Sequence, residues 1–184
     1  MPRGLFGVVL HEPEIPNNAG NIGRTCVATG CTLDLIRPLG FDTSEKACRR
    51  AGLDYWPRLG VREHDSWEAF ETALAPERLW FLSTKATRSC FEADIRPGDW
   101  LVFGKETAGL PESLLNRHEG RTLALPMVPG ERSLNVATAV CAVVYEGIRQ
   151  CLSRGELILT APGRFVPKSE ANHEPARAEP GRQG

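Results

Sequence analysis

Short apolar runs alternate along this chain with stretches whose apolar residues recur every three or four positions. "LFGVVL" (5–10) is continuously apolar, as expected of a strand buried on both faces. "TLDLIRP" (32–38), "RLWFLST" (78–84), "DWLVFG" (99–104) and "RTLALPM" (121–127) predict four more strands. Between them the period lengthens to that of a helix. Asn18 is placed to cap a helix whose inward residues are Ile22, Cys26 and Thr29, closed by Gly30. Asp42 with Glu45 resembles a capping box for a helix through "SEKACRRA" that Gly52 ends. Asp65 with Glu68 repeats the signal before "WEAFETAL", and Pro111 suits the first turn of a helix through "ESLLNR".

The last helix is the clearest. Ser133 can cap it, and it runs through "LNVATAVCAVVYEGIRQCLS" to Gly155. Ala137, Cys141, Val144, Ile148 and Cys151 form one apolar stripe; Val136, Val140, Val143 and Gly147 form a second. A helix apolar on two faces is either deeply buried or shared between its own sheet and a second copy, so burial and a homodimer both fit. After Arg154 the chain turns proline-rich, with four prolines and few large apolar groups, which predicts a disordered tail over 155–184 behind a folded domain of 1–154. Strands alternating with helices imply an α/β domain with a mostly parallel sheet flanked by helices.

Composition narrows the function classes. At 184 residues, 41% hydrophobic and 24% charged, the chain is an ordinary globular domain. Lys plus Arg total 22 against 23 for Asp plus Glu, so nucleic acid cannot be held by bulk charge and needs a local basic patch. Arg49, Arg50, Arg58, Arg62, Lys85 and Arg88 are the candidates. No apolar stretch approaches the roughly 18 residues of a membrane span, and the N-terminus lacks a signal-peptide plan, which implies a cytoplasmic protein with no membrane partner. Six cysteines without a CxxC pair and four histidines without HxxxH spacing argue for core thiols and against a metal.

Three glycine-rich turns follow strands at the sheet's expected carboxyl edge, where open α/β sheets bind ligands. "PNNAGNIGR" (16–24) offers a helix N-terminus, glycines that permit close approach, and Arg24, a fixed planar cation suited to phosphate. A capped helix with a solvated arginine accounts for this stretch equally well. "FGKETAGLP" (103–111) sets Glu106 between Gly104 and Gly109, beside a buried strand. "LPMVPGERSLNVATAV" (125–140) is a proline-shaped loop that delivers Ser133, Leu134 and Asn135 to the long helix. Other chemistries fail on spelling. There is no GxGxxG, no complete P-loop and no GxSxG elbow.

At these three turns the sequence resembles the SPOUT class of RNA methyltransferases, and within it the small bacterial tRNA wobble-position 2′-O-ribose enzymes. The motifs are "HEPEIPNNAGNIGRTCVATGCTLDLIRPLGF", "LVFGKETAGLP" and "LALPMVPGERSLNVATAVCAVVYEGIRQ", with "KACRRAGLDYW" and "RLWFLSTKAT" between them. The likeness runs in order from about residue 5 to 152. It implies a C-terminal trefoil knot, S-adenosylmethionine as methyl donor without a metal, an obligate homodimer, and the tRNA anticodon stem–loop as partner. By resemblance the donor contacts fall on Leu82, Gly104, Leu125 and Ser133, with Thr84, Met127, Leu134 and Glu106 close by. Arg24, Asn18, Asn135 and Tyr145 match the catalytic and RNA-handling positions. Gly23 before the arginine, Gly130–Glu131 in the third loop and the long tail depart from the pattern, which touches substrate range more than reaction type.

A guanidinium keeps its proton to about pH 12, so Arg24 is expected to clamp phosphate and stabilise a developing alkoxide rather than act as base. The proton would leave through that phosphate, water or Tyr145. Asn18 and Asn135 would orient loops and ribose, and Glu106 would fix the loops by accepting backbone hydrogen bonds. Two rivals remain: a related enzyme for another tRNA or rRNA site, and a non-catalytic RNA-binding protein that keeps the knot.

Overall fold

The computed structural model describes residues 4–161 and 163–171. Its elements, in chain order, are β1 (Gly7–His11), α1 (Pro16–Thr29), β2 (Thr32–Ile36), α2 (Glu45–Arg50), α3 (Trp56–Leu59), β3 (Arg62–His64), α4 (Trp67–Leu74), β4 (Leu79–Leu82), β5 (Trp100–Phe103), α5 (Glu112–Arg117), β6 (Thr122–Leu123), α6 (Val136–Ser153), β7 (Leu157–Ala161) and β8 (Arg164–Pro167). Six strands form one sheet in the order β3-β2-β1-β5-β4-β6, every pair parallel. From β1 the chain builds outward through β2 and β3, then crosses to fill the other side. The sheet therefore reverses direction between β1 and β5, and the loops leaving those two strands open side by side at its carboxyl edge.

Both faces of the sheet are covered, which is why β1, β4 and β5 read as apolar runs. Val8, Leu10, Leu33, Leu35, Leu101 and Phe103 point to one side, where Ile22 and Cys26 of α1 and Val140, Val144 and Ile148 of α6 close over them. Val9, Ile36, Phe81 and Val102 point to the other, against Trp67 and Phe70 of α4 and Leu114 of α5. Each such side chain, fully buried, contributes roughly 1.5–3 kcal/mol. The stripe foreseen on α1 is the buried one, with Ile22, Cys26 and Thr29 all within 1% of full burial. The cysteines are free, and burial pushes the thiols of Cys31 and Cys90 up to about 11, so they serve as small core residues.

Several boundaries differ from the sequence expectation. Asn18 does not cap α1. The helix starts two residues earlier, at Pro16, with Ile15 as N-cap and no side-chain cap bond. Proline's fixed φ and missing N–H suit a first turn and make a polar cap dispensable. Ser133 does not cap α6 either; Asn135 does, its Oδ1 accepting from the N–H groups of Ala137 (2.9 Å) and Thr138 (3.3 Å). Ser44 and Ser66, rather than Asp42 and Asp65, cap α2 and α4. The fifth strand shrinks to Thr122–Leu123, and the three-residue edge strand β3 was not foreseen.

The disordered tail expected from residue 155 is overturned over Leu157–Ala161 and Arg164–Pro167, where β7 and β8 pair as antiparallel strands. Leu157 is buried and Phe165 packs against the main core. Residues 162 and 172–184 of that expectation lie outside the described residues.

Candidate active site

Three loops meet at the edge where β1 and β5 end, and one carboxylate joins two of them. Glu106 Oε2 accepts from the N–H of Glu14 (2.9 Å), and its Oε1 accepts from the N–H of Ile15 (3.3 Å) and from Asn18 Nδ2 (2.8 Å). Asn18 Oδ1 in turn accepts from Asn135 Nδ2 at 2.9 Å, and Asn135 caps α6. A continuous chain of side-chain bonds thus runs from the second loop through the first to the third. It spans residues separated by 88 and then 117 positions in sequence. Asn18 is 6% exposed, so both ends of its amide are committed to this relay.

The first two loops are tied again nearer the strands. Lys105 Nζ donates to Glu12 Oε2 at 2.8 Å, and the Thr107 N–H and hydroxyl donate to the Glu14 carboxylate at 3.1 and 3.0 Å. These pairs continue the parallel register of the sheet, in which Leu10 lies opposite Phe103: the separation of 93 positions is the same. Glu12, Glu14, Lys105 and Thr107 were not singled out from sequence, although the two-residue spacing in "HEPE" and "GKET" carries the signal of extended chains side by side. Glu12 adopts a φ of 51°, a left-handed conformation that costs energy for a glutamate and that its ion pair helps hold.

The loops enclose a cleft of about 460 Å³, within the roughly 300–1,000 Å³ usual for small-molecule sites. All eight residues expected at the methyl donor line it: Leu82, Thr84, Gly104, Glu106, Leu125, Met127, Ser133 and Leu134. Asn18, Asn135, Lys105 and Arg132 border it as well. Four apolar side chains and a ring of backbone amides from glycine-rich loops fit a flat heteroaromatic ring with a polar tail. The wall carboxylate Glu106 complements a cationic centre. Burial tends to raise the Glu106 pKa, but the Asn18 amide and the N–H groups of Glu14 and Ile15 outweigh it and hold the carboxyl below its ordinary value.

Because the folded pKa is depressed, the stabilisation from Glu106 is complete above the unfolded value of about 4.3 and fades as pH falls through the folded one. Glu106→Gln presents an NH2 group where acceptors are needed. It is expected to lower Tm at pH 7, with the gap to the unaltered chain closing in melts below about pH 4. A gap independent of pH would remove the carboxylate from this role.

Arg24 and Tyr145 are not brought into the cleft. Arg24 lies six residues beyond Asn18, about 9 Å along the helix and on a different face. There its guanidinium sits 4.5 Å over the Tyr55 ring and lines a separate cavity. Tyr145 is 52% exposed on the outer face of α6. Of the basic candidates, Arg62 is committed to the fully buried Asp34, with bonds of 2.9 and 2.8 Å. Arg49 pairs with Glu45 and Lys85 with Glu112, while Arg50 and Arg58 are exposed.

A parallel sheet whose switch-point loops wrap a small-molecule cleft, with polar relays between the loops, defines a group-transfer or nucleotide-handling α/β protein. Comparison with known families makes this specific: residues 6–145 match the profile of the SpoU rRNA Methylase family, and the chain belongs to that family. It is 51% identical over 147 residues, 79% of its length and 96% of the relative's, to a tRNA (cytidine(34)-2'-O)-methyltransferase of Saccharophagus degradans. A solved structure described as giving insight into 2-OH methylation of C/U34 on tRNA superposes with a TM-score of 0.76 at 48% identity, covering 82% of this chain and 99% of that one. The SpoU methyltransferase AviRb from Streptomyces viridochromogenes, solved in complex with AdoMet, superposes with a TM-score of 0.67 at 27% identity, covering 82% and 62%.

Proposed function

We propose that this chain transfers a methyl group from S-adenosylmethionine to the ribose 2′-oxygen of the wobble nucleotide, position 34, in tRNA. The observation that carries the proposal is the Glu106–Asn18–Asn135 relay, which ties three motif-bearing loops around a single cleft. The family profile is described for rRNA, but relatives at 44% to 51% identity carry tRNA names, which favours tRNA.

When bound, S-adenosylmethionine supplies a methyl group made electrophilic by its sulfonium. Leu82, Leu125, Met127 and Leu134 would hold its apolar parts, the Gly104 backbone and the Thr84 and Ser133 hydroxyls its polar ones. Glu106 keeps a negative charge at the wall while fastening the loops. Asn18 and Asn135 hold the cleft in one geometry, so that little reorganisation is left for the moment of reaction.

The acceptor hydroxyl is a weak nucleophile and must shed a proton as it attacks. Arg24 grips the neighbouring phosphate and stabilises the growing alkoxide, with the proton passing to phosphate, water or Tyr145. Arg24 and Tyr145 lie on outward faces of α1 and α6, away from their own chain's cleft. This is the arrangement expected if the working unit is a homodimer in which those faces meet a second copy's cleft. A trefoil knot at α6 and a cytoplasmic location belong to the same reading.

The test is nucleoside mass spectrometry of tRNA from cells lacking the protein, mapped to single positions, and of the same tRNA after incubation with purified protein and S-adenosylmethionine. Loss and restoration of ribose methylation at position 34 is expected. Unchanged methylation in the deletion strain would refute the assignment.

A further inference from the structure

A second cavity, of about 490 Å³, lies beside the polar face of α1 and does not share the methyl-donor cleft. Asn17, Asn21 and Arg24, at i, i+4 and i+7, form one exposed stripe of the helix and line it together. Tyr55, Trp56 and Phe41 supply aromatic surface from the facing segment. The helix can carry that segment so close only because it lacks side chains there. A Cβ at Gly20 would lie 3.2 Å from Leu53, and one at Gly23 would lie 3.0 Å from Trp56. The two glycines in "NNAGNIGR" therefore set the cavity's wall. Tyr55 is 2% exposed, donates its hydroxyl hydrogen to the Gly20 carbonyl, and supports the Arg24 guanidinium from below.

The chemistry of this cavity is that of an unpaired nucleotide. A guanidinium with no carboxylate partner among the described residues suits a phosphate. Two carboxamides, each both donor and acceptor, suit the edge of a base, and aromatic surface suits its face. The size is within the range of sites that enclose a small ligand. Resting on the methyltransferase proposal above, we propose that this cavity seats the base and phosphate of one unpaired RNA nucleotide adjoining the reaction centre. Asn17 and Asn21 read the base edge, Trp56 and Phe41 flank it, and Arg24 takes the phosphate. Arg24 then links the two sites, because the phosphate it holds in this cavity is the one beside the attacked ribose.

The test uses the full-length protein, an anticodon stem–loop RNA carrying 4-thiouridine in its loop, and the variants Asn21→Asp and Trp56→Leu. Asn21 is exposed and makes no side-chain bond among the described residues, so its variant should fold; Trp56→Leu is checked by thermal melting first. Each variant is expected to raise the KM for RNA roughly tenfold or more, with S-adenosylmethionine affinity within about twofold of the unaltered protein. Photocrosslinks should map to the cavity's two walls, residues 16–24 and 41–56. A KM for RNA unchanged in Asn21→Asp, or crosslinks outside both walls, would overturn the seat and leave ribose methylation standing. Failure of the unaltered protein to methylate any tRNA would overturn both.

Discussion

An Arg24→Ala protein is expected to lose methyl transfer by on the order of a thousandfold, while binding S-adenosylmethionine within about twofold of the unaltered chain. The magnitude follows from what a preorganised cation contributes where negative charge develops: removing one such donor typically costs about 10²–10³ in rate, and a dedicated arginine up to about 10⁵. Selectivity for rate over donor binding follows from geometry. Arg24 borders the second cavity and not the donor cleft, and the relay that shapes the cleft runs through Asn18, on another face of the same helix. Losing its side chain leaves Glu106, Asn18 and Asn135 bonded as before. Arg24→Lys keeps the charge but loses the planar fork, and should recover only part of the rate. Single-turnover transfer to a tRNA hairpin and calorimetric titration of the donor together make the measurement. Full activity in the alanine variant would end the role given to Arg24, and loss of donor affinity would show that it shapes the cleft after all.

What sequence made legible and what it hid divide along a physical line. β1, β4 and β5 were readable because a strand covered on both faces is apolar almost throughout, and the inward stripe of α1 because burial recurs with the helical period. The cleft wall was readable only through resemblance, and the eight residues it indicates line one cavity. The polar relay was legible only in part: the resemblance implies Asn18 and Asn135 as loop-orienting groups and Glu106 as an acceptor of backbone hydrogen bonds, as it is from Glu14 and Ile15, but not the partners. A carboxamide at the start of a helix serves a local N–H or a carboxylate 88 positions away with the same chemistry, so sequence does not distinguish a cap from a relay at Asn18.

The separation of Arg24 from Asn18 was available in principle. Six residues turn a helix through about 600°, which puts the two on different faces. The edge strand β3 escaped notice because its three residues, Arg62 to His64, are polar and meet the core on one side only. The pairing of β7 with β8 escaped because prolines and exposed residues read as a tail, whereas a β ladder satisfies backbone groups without much apolar burial.

Gly104→Ala should remove donor binding altogether at accessible concentrations, a loss of a hundredfold or more, even though it adds a single methyl group. The second loop folds back directly onto the end of β5. Gly109 donates its N–H to the Lys105 carbonyl at 2.8 Å, and the two residues form an isolated antiparallel bridge. A Cβ at position 104 would sit 2.1 Å from the Gly109 carbonyl carbon and 2.2 Å from the Leu110 nitrogen. Both neighbours are backbone, so no rotamer change relieves the overlap, and the loop must open. Opening it pulls Glu106 away from Glu14, Ile15 and Asn18, and so detaches the second wall of the cleft from the first, leaving only the Asn135–Asn18 bond of the relay. Gly120→Ala is the matched control, since a Cβ there meets nothing within 4 Å. In calorimetric titrations the control should bind S-adenosylmethionine like the unaltered protein and the Gly104 variant should show no heat of binding. A Gly104→Ala protein with normal donor affinity would mean that the ligand sits outside the ring of loops that this backbone contact holds closed.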